Sequence, residues 1–314
     1  MAIDEINNVA AESISAINNT LVNTIEEVMN IAYSAPAPSF ADNYAVSKSI
    51  TTGSGQAVRI ADDGGAYSFT HSSAYSISFW VKAGWTSALN TNIHLFSMNE
   101  SGSSTASDDM IRIYYHESHN RIYFEYRSAT NAKKLNFWLF HSNSGNYAAA
   151  YSAAGLGGTY WSSSNRGNTG NDDFTMITIT KGTANNAGSD NVRLYWNATD
   201  CGIGFYGANG SSTGTPNMST SNRQVAIGSN TWNTYQKSGN VAETMYNDLT
   251  IWDKQLSASE VSDLYNSGAR MNATNHSASS NLVGYYKFEN DGNDSSGNSN
   301  AAFTVSGNSN FESI

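Results

Sequence analysis

Chemistry on a protein needs particular side chains at particular separations, and the acids and histidines of this chain do not fall that way. A glycosidase sets two carboxylates across one bond at about 5 Å, which alternating acids on one strand supply. No Glu-x-Asp-x-x-Glu run occurs. Asp108-Asp109, Asp172-Asp173 and Glu260-x-x-Asp263 are adjacent acids in expected loops or a helix, where turn and cap duty accounts for them. The histidines His71, His94, His116, His119, His141 and His276 are scattered. His116 and His119 flank an expected turn at Glu117-Ser118, without a third ligand at zinc spacing. No phosphate loop is present, and the expectation is a protein that is not an enzyme.

Binding has better candidates. Two polar stretches, 141–173 and 198–223, are too long for hairpin turns, and the first carries Tyr147, Tyr151, Tyr160 and Trp161 among Gly, Ser and Asn. Trp232 and Tyr235 stand just before a later strand. Flat aromatic faces among amide and hydroxyl side chains suit sugar rings, so Tyr160, Trp161, Trp232 and Tyr235 are the ligand-binding candidates. The same rings would also serve to pin the loops onto the fold.

The 314 residues are 39% hydrophobic and 13% charged, with 26 Gly and 3 Pro. Low charge with 12% aromatics argues for a packed core and against disorder. A net charge of −10 repels phosphate backbones and anionic membrane surfaces, which excludes nucleic acid as a partner class. One cysteine, Cys201, cannot close an intrachain disulfide. No apolar run reaches membrane-span length, and Asp4 and Glu5 stand where a secretory signal carries bases. The expectation is a chain with no membrane insertion and no conventional cleavable signal.

Residues 1–33 read apart from the rest. Ile3, Ile6 and Ala10, then Ile14, Ile17 and Leu21, then Ile25, Val28 and Ala32 repeat a 3-4-4 spacing every 11 residues. That period of 3.67 residues per turn keeps an apolar stripe on one helix face with a slight right-handed drift. Such a stripe needs cover, so Ile3, Ile6, Ile14, Ile17, Leu21, Ile25 and Val28 are expected to oligomerise or dock; packing on the chain's own globular part is the alternative. Pro36 and Pro38 then mark residues 34–43 as a hinge.

From residue 44 the pattern becomes short period-2 segments, at 76–81, 93–98, 110–115, 121–126, 135–140, 174–180, 192–197, 224–228, 245–252 and 283–288. In Ile77-Ser78-Phe79-Trp80-Val81 alternate residues would enter the core while the hydroxyls face out. Ten such segments with turn residues between them predict an all-β, two-sheet antiparallel sandwich over 44–314. Ser257 as N-cap, Glu260 at N3, the Leu256 and Val261 staple and a closing Gly268 predict one helix.

Three motifs then carry a resemblance. Tyr75-Ser76-Ile77-Ser78-Phe79-Trp80-Val81-Lys82 resembles the "FTISFWVK" strand of laminin-G-like, concanavalin A-like jelly rolls, a group that includes the pentraxins. The passage from Asn240 to Gly268, centred on Asp248-Leu249-Thr250-Ile251-Trp252, resembles their "IDxVxIW…LSxxEI" stretch and following helix. Leu282-Val283-Gly284-Tyr285-Tyr286-Lys287-Phe288-Glu289 followed by Asp294-Ser295-Ser296-Gly297-Asn298 is similar to the "LVGYWKFDE…DSSGN" hairpin. The resemblance covers about residues 44 to 305 and implies the jelly-roll fold, which hosts lectins, hydrolases and adhesion modules alike. In many members this hairpin opens the domain, whereas here it closes it, an arrangement that requires neighbouring termini.

The resemblance also implies calcium at one rim. Asp62-Asp63 matches the family's acidic turn, and Asp291, Asn293 and Asp294 offer a second oxygen-rich loop. Asp291, Asn293 and Ser295 have part of the spacing of a calcium loop, while Ser296 and Ser299 stand where a full loop needs Gly and Glu. Asx turns fit the same residues.

The leading "AIDEINNVAAESISAINN" is similar to the short Ile-Asn-Asn helices that begin structural proteins of tailed bacteriophages. This resemblance implies a virion protein, assembled in the bacterial host cytoplasm, that contacts other virion proteins through its leading helix. The combined expectation is a homo-oligomer, a trimer by the habit of phage fibres, displaying a lectin-like sandwich towards a host surface glycan. A capsid or tail decoration that binds only neighbouring proteins, and a polysaccharide-cleaving enzyme, are the alternatives.

Overall fold

The computed structural model describes residues 43–48, 57–82, 92–100, 110–116, 121–127, 132–138, 174–183, 192–203, 205–206, 222–228, 244–306 and 309–314. The leading segment 1–33 with its apolar stripe, and most of the 34–43 hinge, lie outside them.

The described chain is a two-sheet antiparallel jelly-roll sandwich. Its first six strands are β1 (Tyr44–Lys48), β2 (Ala57–Ile60), β3 (Tyr75–Lys82), β4 (Asn92–Glu100), β5 (Met110–His116) and β6 (Arg121–Arg127). β7 (Ala132–Trp138), β8 (Thr175–Lys181), β9 (Val192–Trp196), β10 (Thr199–Ile203), β11 (Phe205–Tyr206) and β12 (Arg223–Ile227) follow. β13 (Thr244–Trp252), β14 (Leu282–Tyr286), β15 (Thr304–Ser306) and β16 (Asn310–Ser313) complete the set. One sheet runs β10-β9-β8-β3-β13-β1-β16, with β14 also on β13; the other runs β11-β7-β6-β5-β4-β12-β2-β15. β16 pairs antiparallel with β1, so the two ends of the sandwich are neighbours and the closing hairpin is accommodated.

All ten expected strands are present, within a few residues at each end. The additional ones, β1, β2, β10, β11, β15 and β16, are five residues or shorter. Their pairing partners define them better than their own composition does.

Alternation fills the core from both sheets: Ile77, Phe79 and Val81 of β3, and Ile177 and Ile179 of β8, face Ile111, Ile113 and Tyr115 of β5, and Ile122, Phe124 and Tyr126 of β6. Two bulges correct the phase. In β13, Asn247 pairs with Trp80 and Thr250 with Ser78, so one extra residue lies opposite β3. That residue lets Tyr246, Leu249 and Ile251 all reach the core, and Asp248 at the bulge takes φ 45°. β4 does the same between His94 and Phe96.

The hydroxyls of β3 do alternate outward but do not meet solvent. Ser76 and Ser78 are buried, Ser78 Oγ and Thr178 Oγ1 are 2.7 Å apart, and Ser76 Oγ donates to Lys254 O at 2.7 Å. The cause is a third layer. Helix α1 (Ala258–Tyr265) and 3-10 turns at Asn266–Gly268, Ala273–Asn275 and Ser279–Asn281 link β13 to β14 and carry buried Leu256, Val261, Leu264, Ala273 and Ala278. Tyr265 stacks on Trp80 at 5.5 Å, and His276 meets the edge of Trp252 at 5.1 Å. The expected capping box is formed, with Glu260 Oε2 accepting from Ser257 N at 2.8 Å. The helix ends at left-handed Asn266, not at Gly268, which instead closes the next turn at φ 90°.

Candidate functional site

The segment between β2 and β3 turns on two aspartates. Asp62 Oδ1 accepts from Gly64 N at 2.9 Å. Asp63 Oδ1 accepts from Gly65 N at 2.9 Å and Arg223 N at 2.6 Å, and its Oδ2 accepts from Tyr67 N at 2.8 Å. Gly64 and Gly65 both take left-handed φ, the conformation this turn demands. Beyond it Ser68 Oγ donates to Gly65 O at 2.6 Å, Thr70 N donates to Ser73 Oγ at 2.9 Å, and Phe69 stacks on Tyr75 at 4.9 Å. Lys181 Nζ underpins the far end by donating to His71 O, Ser73 O and Gly182 O.

This braced segment forms one wall of a cleft of about 410 Å³. Ala66, Ser68, Phe69, Ser73 and Ala74 line that wall; Val283 of β14 and Asp253, just after β13, line the other. Asp253 N donates to Asn281 O at 3.0 Å, and Asp253 Oδ1 accepts from Asn281 Nδ2 at 2.8 Å, which fixes the carboxylate at the exposed mouth. Hydroxyls that donate or accept, one acceptor carboxylate and an apolar lining give the cleft an amphipathic surface in the size range of small-ligand sites.

The two walls are tied by Tyr67 and Tyr286, whose hydroxyls are 2.6 Å apart; Tyr286 Oη also donates to Ala301 O at 3.1 Å. Burial first, then the neighbouring Tyr286 and the charges of Asp294 and Asp63, push Tyr67 above the ordinary phenol range. The Tyr67 oxygen lies so close to Gly284 that a side chain at 284 would collide with it.

The five calcium candidates are therefore split between two turns that share the Tyr67 and Tyr286 hydroxyl pair. Asp294 Oδ1 accepts from Tyr285 N and Ser296 N, and Oδ2 accepts from Ser296 Oγ and Asn300 N. Asp291 Oδ1 accepts from Asn293 N at 3.0 Å. At Asp63 and Asp294 both carboxylate oxygens are already taken up by backbone and hydroxyl donors of the turns. The Asp63 and Asp294 oxygens face N–H and O–H groups that would point their positive ends at an ion, and no metal-holding cluster of acids, His or Cys occurs among the described residues. Asx-turn duty is what the geometry supports.

A second polar cluster lies on the outward face of β4, β5 and β6. Tyr114 stacks on Tyr123 at 5.0 Å and 9°, flanked by His94 and His116. Arg112 lies 4.7 Å over the Tyr114 ring and donates to Glu125 Oε2 through Nε at 3.0 Å and Nη2 at 2.6 Å. Tyr114 and Tyr123 are 1% and 4% exposed, so this ladder is packing rather than an open platform.

Tyr160, Trp161, Trp232 and Tyr235 lie outside the described residues. No sequence signal joins the cleft residues: Ser68, Phe69 and Ser73 sit in a short polar stretch, Asp253 follows a strand that announces itself by Ile251 and Trp252, and Val283 belongs to the hairpin motif. The only available signal was the acidic turn at Asp62-Asp63, which braces the wall and does not line it.

No family model matches this sequence, and no curated protein matches it. Among solved structures, the receptor-binding domain of botulinum neurotoxin type G is similar at 15% identity over 62% of this chain and 38% of that one, with a TM-score of 0.36. The serotype D binding domain is similar at 14% identity over 62% and 37%, with a TM-score of 0.38. The native heptameric SAP-like pentraxin from Limulus polyphemus is similar at 10% identity over 71% and 82%, with a TM-score of 0.37. The chain spans less than two fifths of the length of the toxin domains it matches.

Proposed function

We propose that this chain is a non-enzymatic glycan-binding module whose sandwich takes a sugar in the cleft between the 61–74 segment and Asp253. The observation that carries the proposal is the cleft's make-up. Ser68, Ser73 and Asp253 can pair with ring hydroxyls while Ala66, Ala74 and Val283 meet the C–H face. Asp253 is the one carboxylate among the described lining residues, so they can hold a sugar but do not supply the pair of carboxyl groups that glycoside cleavage requires. A glycan array on the full chain identifies the sugar, and titration calorimetry then compares Asp253→Asn. The change keeps the shape and removes the charge-assisted acceptor, so binding should weaken about 10-fold. No glycan bound, or equal binding by Asp253→Asn and by the cleft-filling Ala74→Arg, overturns this assignment. Loss of binding on Trp161→Ala or Trp232→Ala alone moves the site to the long loops.

The leading segment extends the proposal to an assembly. Its 11-residue stripe supports a tether that joins copies of the chain, as a homotrimer, to other proteins of a virion. Individually weak sugar contacts become effective when several sandwiches are held together. Solution mass with and without residues 1–38 is the test. Three chains falling to one supports the tether, and a single chain in both forms removes it.

A further inference from the structure

β13 has two successive partners along one edge. β1 pairs with it as far as Val46 opposite Tyr246, and β14 takes over at Tyr286 opposite Leu249. The residue in the handover is Asp248, left-handed at the bulge and 5% exposed. Its N–H donates to Asn247 Oδ1 at 2.8 Å, and its Oδ1 accepts from the Tyr285 hydroxyl at 2.8 Å. Its Oδ2 is buried with no hydrogen-bond partner, a costly state for a carboxylate.

The start of the sandwich is fastened at the same junction. Glu289 accepts from Asn43 N at 3.1 and 3.0 Å and from Tyr44 N at 3.3 Å. Asn247 Nδ2, on the residue beside Asp248, donates to Tyr44 O at 2.8 Å, and Ile314 N donates to Asn43 O at 3.0 Å. The charged and titratable groups acting on Asp248 are Tyr285 of β14, and Lys287 and Glu289 just beyond it. Arg270, from the covering layer, acts in turn on Glu289 and Tyr285.

We propose that Asp248 is a proton-operated clasp on β1. Neutral, it lets Glu289 and Asn247 hold Asn43 and Tyr44 in place; ionised, it sets a buried negative charge that repels the half-buried Glu289, and the first strand loosens. Burial pushes the Asp248 carboxyl up to about 7; the Tyr285 hydrogen bond and Lys287 oppose the rise, and Glu289 adds to it. A raised pKa in the closed form means that the clasp is tightest below the ordinary value of 3.8. Its hold is lost progressively as pH rises towards about 7 and is level above that.

The test is amide hydrogen exchange on the full chain, read as protection factors corrected for intrinsic rate. Between pH 5 and 8 the peptide covering 43–48 should lose protection about 100-fold, tenfold for each of the two pH units between 5 and about 7, while the peptide covering 75–82 stays level. Asp248→Asn, which keeps the neutral shape and suits left-handed backbone, should abolish the loss. Tyr285→Phe, which removes the donor to Oδ1, should move the transition to higher pH. Constant protection of 43–48 in the parent, or an undiminished loss in Asp248→Asn, overturns the clasp. So does a transition in Tyr285→Phe that stays where it was.

Discussion

Replacing Gly284 by alanine tests whether the two walls of the cleft are locked together as described. Gly284 lies in β14 opposite Ile251, and its new methyl would run into the hydroxyl end of Tyr67, with Cε1 and Cζ of the same ring at 3.1 Å. Tyr67 is fully buried and bonded to Tyr286, so it has no free direction in which to yield. Overpacking of this kind costs about 1–3 kcal/mol. Parting the two hydroxyls adds about 1 kcal/mol, since Tyr286 keeps Ala301 O. Urea denaturation followed by tryptophan fluorescence should therefore show Gly284→Ala about 3 kcal/mol less stable. Tyr67→Phe alone should cost about 1 kcal/mol. In the Gly284→Ala background it should cost nothing or restore stability, because it removes the clashing oxygen. A double-mutant coupling below about 0.5 kcal/mol, or a Gly284→Ala cost below about 1 kcal/mol, would refute the account. Ala66 and Ser68 flank Tyr67, so the same variant should also weaken any ligand held in the cleft.

At Gly292 a methyl would collide with the backbone oxygen of Phe303, whose N–H bonds back to Gly292 O at 2.8 Å. Gly292→Ala should cost about 3 kcal/mol in the same assay, against about 1 kcal/mol for Gly297→Ala, which meets open space and carries only its φ of 91°. Ser257→Ala removes the N-cap acceptor of α1 and should lower stability by about 1 kcal/mol on denaturation. His94, held neutral by burial and by Arg112, has its pKa pushed down to about 3. Its contribution is present above the ordinary 6.5 and is lost as pH falls. His94→Gln should therefore recover on the order of 3 kcal/mol of the stability that the parent loses between pH 7 and pH 4, measured by denaturation at both values.

Particular residues show what was legible in advance. Ile77, Phe79 and Val81, or Ile177 and Ile179, are period-2 runs long enough to declare their strands, and Ser257 with Glu260 declared the helix start. The edge strands stayed hidden because segments such as Thr304–Ser306 gain their identity only from a partner, here β2. The cleft was hidden for a related reason. Ser68, Asp253 and Val283 are separated by up to 215 residues of chain, and no local pattern ties them.

Local chemistry alone determined the all-β sandwich, its capping box and the Asx turns at Asp63 and Asp294, because alternation, caps and short-range hydrogen bonds are properties of neighbours in the chain. Tertiary structure decided the rest. The outward hydroxyls of β3 became a second buried layer because 253–281 folds over them. Asp248 became a buried acid because β1 and β14 meet around it. Asp253 came to face the 61–74 segment because β13 and β14 carry it there. In each case burial and electric environment depend on which distant strand arrives alongside, and periodicity carries no record of that.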